Sequence, residues 1–149
     1  MCKKKNLDFY TFLKNFKEQI SSLNLKNTIQ KDYILKVLFF SDRHLTVEDI
    51  VELLKKHYNL DIAITTVYKT VKLFEELNFI TSLEIEGSPK YYELNHSISH
   101  NHLICSSCFK IVEFIDQVIE LKQQEIAIKH KFTLNNHNLV IYGLCDKCR

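Results

Sequence analysis

The sequence predicts an α+β protein, in which an N-terminal winged helix-turn-helix domain is followed by a small α+β domain with paired cysteines. Three observations lead to this class. Apolar residues recur at helical spacing in four stretches between residues 7 and 77. Alternating residues then flank Gly87-Ser88-Pro89, which predicts a β-hairpin. Two C-x-x-C pairs lie in the last third of the chain. Helices followed by a hairpin are typical of a winged helix.

The first two helices are each predicted from one apolar stripe. The first runs from Leu7 to Leu23 and ends where the polar segment 24–27 interrupts the pattern. Thr28 is a suitable N-cap for the second helix, which we expect to end at Ser41-Asp42. The inward-facing residues expected in the second helix are Ile29, Tyr33, Ile34, Val37 and Leu38.

The third and fourth helices are predicted to form the helix-turn-helix pair. The segment Thr46-Val47-Glu48-Asp49 resembles a capping box and starts a helix that runs to about Tyr58. Thr65 or Thr66 is expected to cap a fourth helix from Val67 to Leu77. The inward face of the third helix comprises Val47, Ile50, Val51 and Leu54, and that of the fourth Val67, Val71, Phe74 and Leu77. Tyr68, Lys69 and Lys72 lie on the opposite face of the fourth helix.

We place the domain boundary after the hairpin. The expected domains are residues 1–94 and 95–149, with the polar segment 95–99 as the linker. The hairpin strands are expected at residues 80–86 and 90–94. The second domain is expected to begin with short strands at about 102–104 and 110–114. A helix from Asp116 to about His130 and a long strand from Phe132 to Tyr142 are expected to follow. A domain of about 50 residues buries little core alone, so we expect a metal, a partner subunit, or both to stabilise it.

Composition and charge leave the class of partner open. The chain has 149 residues, of which 46% are apolar and 26% charged, as in ordinary globular proteins. No apolar run long enough for a signal sequence or a membrane span is present, so we expect a cytosolic protein. The net charge of +2 does not indicate nucleic acid by itself. From Ile62 to Phe74 the charged residues are Lys69 and Lys72, which suits a phosphate-facing helix or an ordinary solvated face.

Four of the five cysteines form the pairs Cys105/Cys108 and Cys145/Cys148. Paired cysteines in the cytosol are more often metal ligands than disulfides. Four thiolates leave zinc no open coordination position, so the spacing predicts a structural zinc site that ties the first strands of the second domain to its end. A redox C-x-x-C usually opens a helix after a strand, and neither pair precedes a helical pattern. Cys2 has no nearby partner.

Two histidines precede the first cysteine pair. On a strand, His100 and His102 point to the same face, and Ser99 and Asn101 to the other. Two imidazoles on one face are able to bind a divalent metal if carboxylates or a further imidazole complete the ligand set. Glu93 at the end of the hairpin and Glu113 on the neighbouring strand are the candidates. A single histidine is usually just a satisfied polar residue, but the His-x-His spacing beside the thiols favours a metal site.

Taken together, these residues resemble the ferric uptake regulator (Fur) family of metal-responsive repressors, over nearly the whole chain. The motifs that carry the resemblance are Ile64-Thr65-Thr66-Val67-Tyr68-Lys69-Thr70, Tyr92-Glu93-Leu94, His100-x-His102-Leu103-Ile104-Cys105-x-x-Cys108, Glu113-Phe114, Glu120, Ala127, Lys129-His130, His137, Tyr142-Gly143 and Cys145-x-x-Cys148. In combination these motifs are highly specific.

The resemblance implies a homodimer that binds a double-stranded, A·T-rich palindromic operator. It assigns the regulatory metal to His44, Glu93, His100, His102 and Glu113, and the DNA contacts to Thr66, Tyr68, Lys69, Lys72 and Lys31. The implied cofactors are a structural Zn²⁺ and a regulatory Fe²⁺, for which Mn²⁺ or Zn²⁺ substitutes. Metal binding would clamp one domain onto the other and set the spacing of the two recognition helices.

The chain departs from the family pattern at several positions. The family's H-H-D-H reads Ser99-His100-Asn101-His102 here, and the Gly after the second cysteine is Phe109. Many relatives hold a further metal with the first His and the Asp of that motif plus a Glu and a distal His. Of these, Glu120 and His137 remain, so we expect a weak or empty site and two metals per subunit, unless His96 substitutes for the missing histidine. Lys31 and Lys69 replace family arginines and lose the bidentate fork.

Other functions are compatible with parts of the pattern. A zinc-responsive member of the same family is the nearest alternative, because imidazole and carboxylate ligands suit Fe²⁺, Mn²⁺ and Zn²⁺ alike. A peroxide-responsive member is disfavoured because such members tend to have Asp where this chain has Glu93 and Glu113. A zinc hydrolase using His100, His102 and Glu113 is a rival from another class, but no H-E-x-x-H motif is present, so we expect no enzyme. A constitutive DNA-binding protein with an inert second site is the third possibility.

Overall fold

The computed structural model describes residues 8–95, 100–135 and 137–149. The described residues up to Asn95 form one compact unit, and those from His100 onward form a second. Cys2, His96 and Ser99 lie outside the described residues, as does most of the expected linker. No helix among the described residues is long and apolar enough to cross a membrane.

The N-terminal unit contains four helices and a hairpin. The helices are α1 (Phe9–Ser22), α2 (Ile29–Phe40), α3 (Val47–Tyr58) and α4 (Ile64–Glu76), followed by the strands β1 (Ile80–Leu83) and β2 (Tyr91–Leu94). β1 and β2 pair antiparallel, with Ile80 opposite Leu94. Leu45, before α3, forms an isolated bridge with Tyr92 on the other side of β2. The order of helices, hairpin and bridging segment is that of a winged helix, as the sequence predicts.

Local sequence signals set two of the helix starts. The Thr28 side chain accepts a hydrogen bond from the Lys31 backbone N–H, and Thr46 and Asp49 form a reciprocal capping box at the start of α3. The predicted cap of α4 was wrong, because that helix begins three residues earlier than Val67 and follows Ala63 without a side-chain cap. Its first turn is instead closed by backbone bonds from Thr66 and Val67 to the Ala63 carbonyl.

The core of the N-terminal unit lies between the helices and against one face of the hairpin. Phe16 of α1 packs edge-on against Phe74 of α4, with ring centroids 5.1 Å apart, and both rings are fully buried. Phe79, at the entry to β1, packs on the same ring of Phe16. Ile29 is an exception to the predicted inward face of α2, since it sits at the first helical position and is 68% exposed.

The C-terminal unit is a three-stranded sheet with one helix. It contains β3 (Asn101–Cys105), β4 (Ile111–Phe114), α5 (Gln117–Lys129) and β5 (Val140–Gly143), in the sheet order β4-β3-β5. β3 pairs antiparallel with β4 and parallel with β5. The Asp116 carboxylate accepts hydrogen bonds from Val118 and Ile119 N–H groups and caps α5 as expected.

The predicted long strand from Phe132 to Tyr142 was wrong for its first part, since β5 begins only at Val140. The physical reason lies at the end of α5. Lys131 adopts a left-handed backbone with φ of 61°, and the Phe132 N–H bonds back to the Ala127 carbonyl, so the C-cap of α5 occupies the residues where the strand was expected to begin.

The C-terminal unit has few buried side chains. Among its described residues, the buried apolar side chains are Ile104 and Cys105, and no residue of α5 is buried. Apolar side chains of α5 therefore stay open within this chain, with Val118 74% and Ile126 51% exposed. Leu103, Val112 and Ile141 are also exposed on the sheet. Much of the apolar surface of this unit is available for another contact.

Candidate metal centres and nucleic-acid interface

The pairing of β3 with β5 brings the four paired cysteines together. Cys105 ends β3 and is the parallel partner of Gly143, which ends β5 two residues before Cys145. Cys108 and Cys148 lie in the turns that follow. The turn after Cys108 places Phe109 in the left-handed region with φ of 59°. A non-glycine residue there costs about 1–2 kcal/mol, so this turn is held in place by its surroundings.

The geometry of the four sulfurs suits a tetrahedral metal ion. Their Sγ atoms all lie within 4.8 Å of one another, and the Cys108 and Cys145 sulfurs are 3.8 Å apart. A zinc–sulfur distance of about 2.3 Å in a tetrahedron places neighbouring sulfurs about 3.8 Å apart. The cluster therefore has the ligand identity, number and spacing of a closed structural zinc site.

The protonation of the cluster also favours a cation. Backbone N–H groups of Cys108, Cys145 and Ser107 lower the pKa of the Cys105 thiol to about 6, which stabilises its thiolate. The Ser107 hydroxyl lowers the pKa of the Cys148 thiol, but hydrogen bonds with Cys145 and Cys108 outweigh it and raise the pKa to about 12. The crowded sulfurs thus retain a proton that a bound Zn²⁺ would displace.

A second group of donors in the N-terminal unit is a histidine–carboxylate pair. The His44 Nε2 lies 3.3 Å from the Glu93 Oε2, and the His44 side chain is only 5% exposed. The antiparallel bridge between Leu45 and Tyr92 brings the two residues together, because each is the chain neighbour of a bridge residue. The Thr81 hydroxyl donates to the other carboxylate oxygen of Glu93 at 3.4 Å.

A third group of donors is the histidine pair of the C-terminal unit. The Nε2 atoms of His100 and His102 lie 3.1 Å apart, and both rings are buried. Because only one of two neutral imidazoles can donate in such a contact, this arrangement requires either a fixed tautomer or a shared cation. Glu113 lies directly across from His102 in the β3–β4 register. The two histidine rings therefore bring two ring nitrogens together, and the strand register places Glu113 opposite one of them.

The residues left from the expected further site form a hydrogen-bonded network of their own. Asn101 is fully buried, and its Nδ2 donates to the Glu120 Oε1 at 3.2 Å. The His137 Nε2 lies 3.2 Å from the same oxygen. The network joins β3, α5 and the segment before β5. The Glu120 Oε1 atom is thus contacted by both the Asn101 amide and the His137 ring.

The residues expected to contact DNA lie on two helices. Tyr68, Lys69 and Lys72 are exposed on α4, and Thr66 is half-buried on its first turn. Lys31 is on α2, where its ammonium donates to the Lys26 carbonyl at 2.5 Å. The exposed face of α4 therefore presents an aromatic ring and two cations.

Sequence reasoning did not single out two charged residues beside this face. Glu75 follows Tyr68 and Lys72 at helical spacing, so all three lie along one side of α4. Lys90, at the end of the hairpin loop, contacts Glu75. The helical spacing from Tyr68 to Lys72 and on to Glu75 is visible in the sequence. The contact between α4 and the hairpin is not.

Fold and donor sets together define a metal-binding winged-helix protein. Residues 22–142 match the model of the ferric uptake regulator family. The ferric uptake regulation protein of Campylobacter upsaliensis is 38% identical over 144 residues, which cover 96% of this chain and 92% of that protein.

Comparison with solved structures leads to the same family. The ferric uptake regulator of Helicobacter pylori, whose structure reveals three functional metal-binding sites, has a TM-score of 0.86 at 31% identity and covers 97% of this chain and 96% of its own. The ferric uptake regulator of Francisella tularensis, solved with iron, has a TM-score of 0.71 at 32% identity, covering 84% and 95%. The chain therefore belongs to the ferric uptake regulator family, whose members are metal-responsive transcription regulators rather than enzymes.

Proposed function

We propose that this protein is an iron-responsive transcriptional repressor that controls metal-uptake genes as a homodimer in the cytoplasm. The observation that carries the proposal is the buried His100–His102 pair, with Nε2 atoms 3.1 Å apart and Glu113 on the adjacent strand. Two imidazoles and a carboxylate suit Fe²⁺, and Mn²⁺ or Zn²⁺ bind the same donors. The iron-containing relative from Francisella tularensis supports iron as the effector.

The two kinds of site have different roles. Cys105, Cys108, Cys145 and Cys148 bind a structural Zn²⁺ that stabilises a unit with little buried core. His44, Glu93, His100, His102 and Glu113 bind the regulatory metal. Two of these ligands belong to the N-terminal unit and three to the C-terminal unit, so a metal that uses all five favours one arrangement of the units. This differential stabilisation is what couples the metal to DNA affinity.

The DNA-binding surface is the exposed face of α4. Tyr68 makes apolar contact with a thymine methyl, while Lys69 and Lys72 reach phosphates or a guanine edge. Thr66 and Lys31 add hydroxyl and ammonium contacts to the backbone. Two copies of this helix, related by the two-fold axis of a homodimer, read a palindromic A·T-rich operator.

Dimer formation is supported by the surface of the C-terminal unit. Leu103, Val112 and Ile141 leave an apolar sheet surface exposed, and β5 is an edge strand. Val118, Leu121 and Ile128 of α5 are at least 60% exposed. Burial of such surface against a second copy supplies the core that the unit lacks on its own.

We further propose two metals per subunit. The Asn101 amide has no negative charge and already bonds to Glu120. Glu120 and His137 alone would hold a third cation weakly, because structural metal sites need more ligands and a favourable charge. Titration of the zinc-loaded protein with Mn²⁺ should reveal one further tight site, lost in His100→Ala with His102→Ala and kept in the control His130→Ala. A second tight site that depends on Glu120 and His137 would contradict this count.

The function is tested by DNA selection. Zinc-loaded protein is presented with a pool of random duplexes under anaerobic conditions, with Fe²⁺, Mn²⁺, additional Zn²⁺ or a weak chelator. We expect Fe²⁺ and Mn²⁺ to enrich an A·T-rich palindrome that the chelator-treated protein does not enrich. Equal enrichment with and without metal would indicate a constitutive DNA-binding protein. The absence of any enriched sequence would refute the proposed function.

A further inference from the structure

A negatively charged residue, Glu75, lies toward the C-terminal end of the side of α4 that is proposed to face DNA. Tyr68, Lys72 and Glu75 lie at i, i+4 and i+7, so a carboxylate continues the stripe that the aromatic ring and the cation begin. A free carboxylate in that position repels DNA phosphates. Its presence therefore requires either a cation beside it or a role other than contact with DNA.

The hairpin supplies that cation. The Lys90 Nζ lies 3.1 Å from the Glu75 Oε1 and 3.2 Å from its Oε2, so the ammonium contacts both carboxylate oxygens. The same Nζ lies 3.2 Å from the Glu84 Oε1, on the opposite side of the hairpin loop. The Ser82 hydroxyl of β1 also donates to Glu75. The contacts join α4, β1 and the start of β2 in one network.

Further contacts hold the ammonium in this position. Lys90 Nζ is 5.8 Å from the ring centroid of Tyr92, which is buried and joined by its backbone to Leu45 at 3.0 and 2.8 Å. The side chains of Lys90 and Glu75 are 31% and 32% exposed, so both are shielded over most of their surface. The Lys90 ammonium thus has its ion pairs within the protein, with Glu75 and Glu84.

We propose that the Glu75–Lys90 ion pair is a positioning brace that fixes the hairpin wing against the recognition helix, so that both elements meet one DNA duplex in register. The inference rests on the proposed DNA-binding function. Beyond residue 83 the hairpin strands separate into the loop, and Lys90 is where that loop is attached to α4. Loss of the brace leaves the helix intact but lets the wing shift, and specific binding weakens more than nonspecific binding.

The test uses charge reversal in full-length, zinc-loaded protein saturated with Mn²⁺. Glu75→Lys, Lys90→Glu and the double variant are compared for affinity to the duplex selected by the wild type and to a scrambled duplex of equal length. The brace predicts that each single variant lowers the ratio of the two affinities about three- to tenfold, and that the double variant restores it to within about twofold. Glu18→Lys is the matched control, because it breaks the exposed Lys14–Glu18 pair of α1 with the same charge change.

Glu75→Lys separates the brace from direct electrostatic contact. It makes the protein more positive beside the DNA-facing stripe, so electrostatics alone predicts tighter binding. A ratio in Glu75→Lys that equals or exceeds the wild-type ratio would overturn the brace, as would a double variant with no recovery. Glu75→Gln is the milder variant if Glu75→Lys unfolds, and the brace again predicts a lower ratio. If the wild type itself selects no duplex, the proposed function fails instead.

Discussion

Replacement of a single zinc-site cysteine should unfold the C-terminal unit. In Cys105→Ser the buried sulfur at the end of β3 is lost, and with it one of four ligands that connect β3 to the segment after β5. The remaining thiols repel one another when ionised and have no fourth ligand for a tetrahedral ion. We expect zinc, the fold of residues 100–149 and the dimer to be lost together.

The magnitude follows from how little else stabilises this unit. Ile104 is one of its few buried apolar residues, and full burial of such a side chain contributes only about 1.5–3 kcal/mol. Structural zinc sites contribute about 10–16 kcal/mol at neutral pH. The whole net stability of a small domain is about 5–15 kcal/mol, so loss of the zinc removes as much free energy as folding provides.

The assay combines zinc content by mass spectrometry, circular dichroism and sedimentation of wild type and variant. Cys2→Ser is the matched control, because Cys2 belongs to neither C-x-x-C pair. It should keep one tightly bound zinc per subunit and remain dimeric. A Cys105→Ser protein that is zinc-free, folded and dimeric would refute the structural role of the site.

Three further predictions concern other elements. Tyr68→Ala should weaken binding to the selected duplex by about 1–3 kcal/mol in fluorescence anisotropy, and unchanged affinity in a folded variant would exclude α4 from the groove. Burial raises the pKa of Asp49, but hydrogen bonds from Arg43 and Thr46 outweigh it and hold that pKa below its usual 3.8. Asp49→Asn should therefore cost about 1 kcal/mol in urea unfolding at neutral pH. Because a lowered pKa stabilises the fold above 3.8, this difference should disappear as the pH falls through the folded-state pKa; a difference unchanged at low pH would contradict the assignment. Asn101→Asp should raise the metal count from two to three per subunit, and an unchanged count would show that Asn101 is not what closes the third site.

The sequence was most informative where the physics is local. The caps at Thr28 and Thr46 depend on residues three positions away, and both were predicted correctly. The start of α4 was missed because Ala63 has no side chain that forms a cap. The strand expected to begin at Phe132 was predicted from residue preference. The observed C-cap of α5 at this point depends instead on the left-handed backbone conformation of Lys131.

For the candidate sites too, the features set by local spacing were predicted and those set by long-range packing were not. The spacing of Cys105, Cys108, Cys145 and Cys148 was enough to predict one cluster, because two C-x-x-C pairs have few other uses. The bond from Asn101 to Glu120 and the contact of Lys90 with Glu75 join residues far apart in sequence. Pairs of this kind depend on how elements pack, which periodicity alone does not specify.

We propose that metal binding and DNA binding are coupled through His44, Glu93, His100, His102 and Glu113. Thermodynamic linkage requires that if the metal tightens DNA binding by a factor, DNA tightens metal binding by the same factor. The direct measurement is the Mn²⁺ affinity of the zinc-loaded dimer with and without the selected duplex. We predict tighter Mn²⁺ binding in the presence of DNA, by about 5–150-fold, and loss of this effect in Glu93→Gln. Equal Mn²⁺ affinities with and without DNA would contradict the proposal.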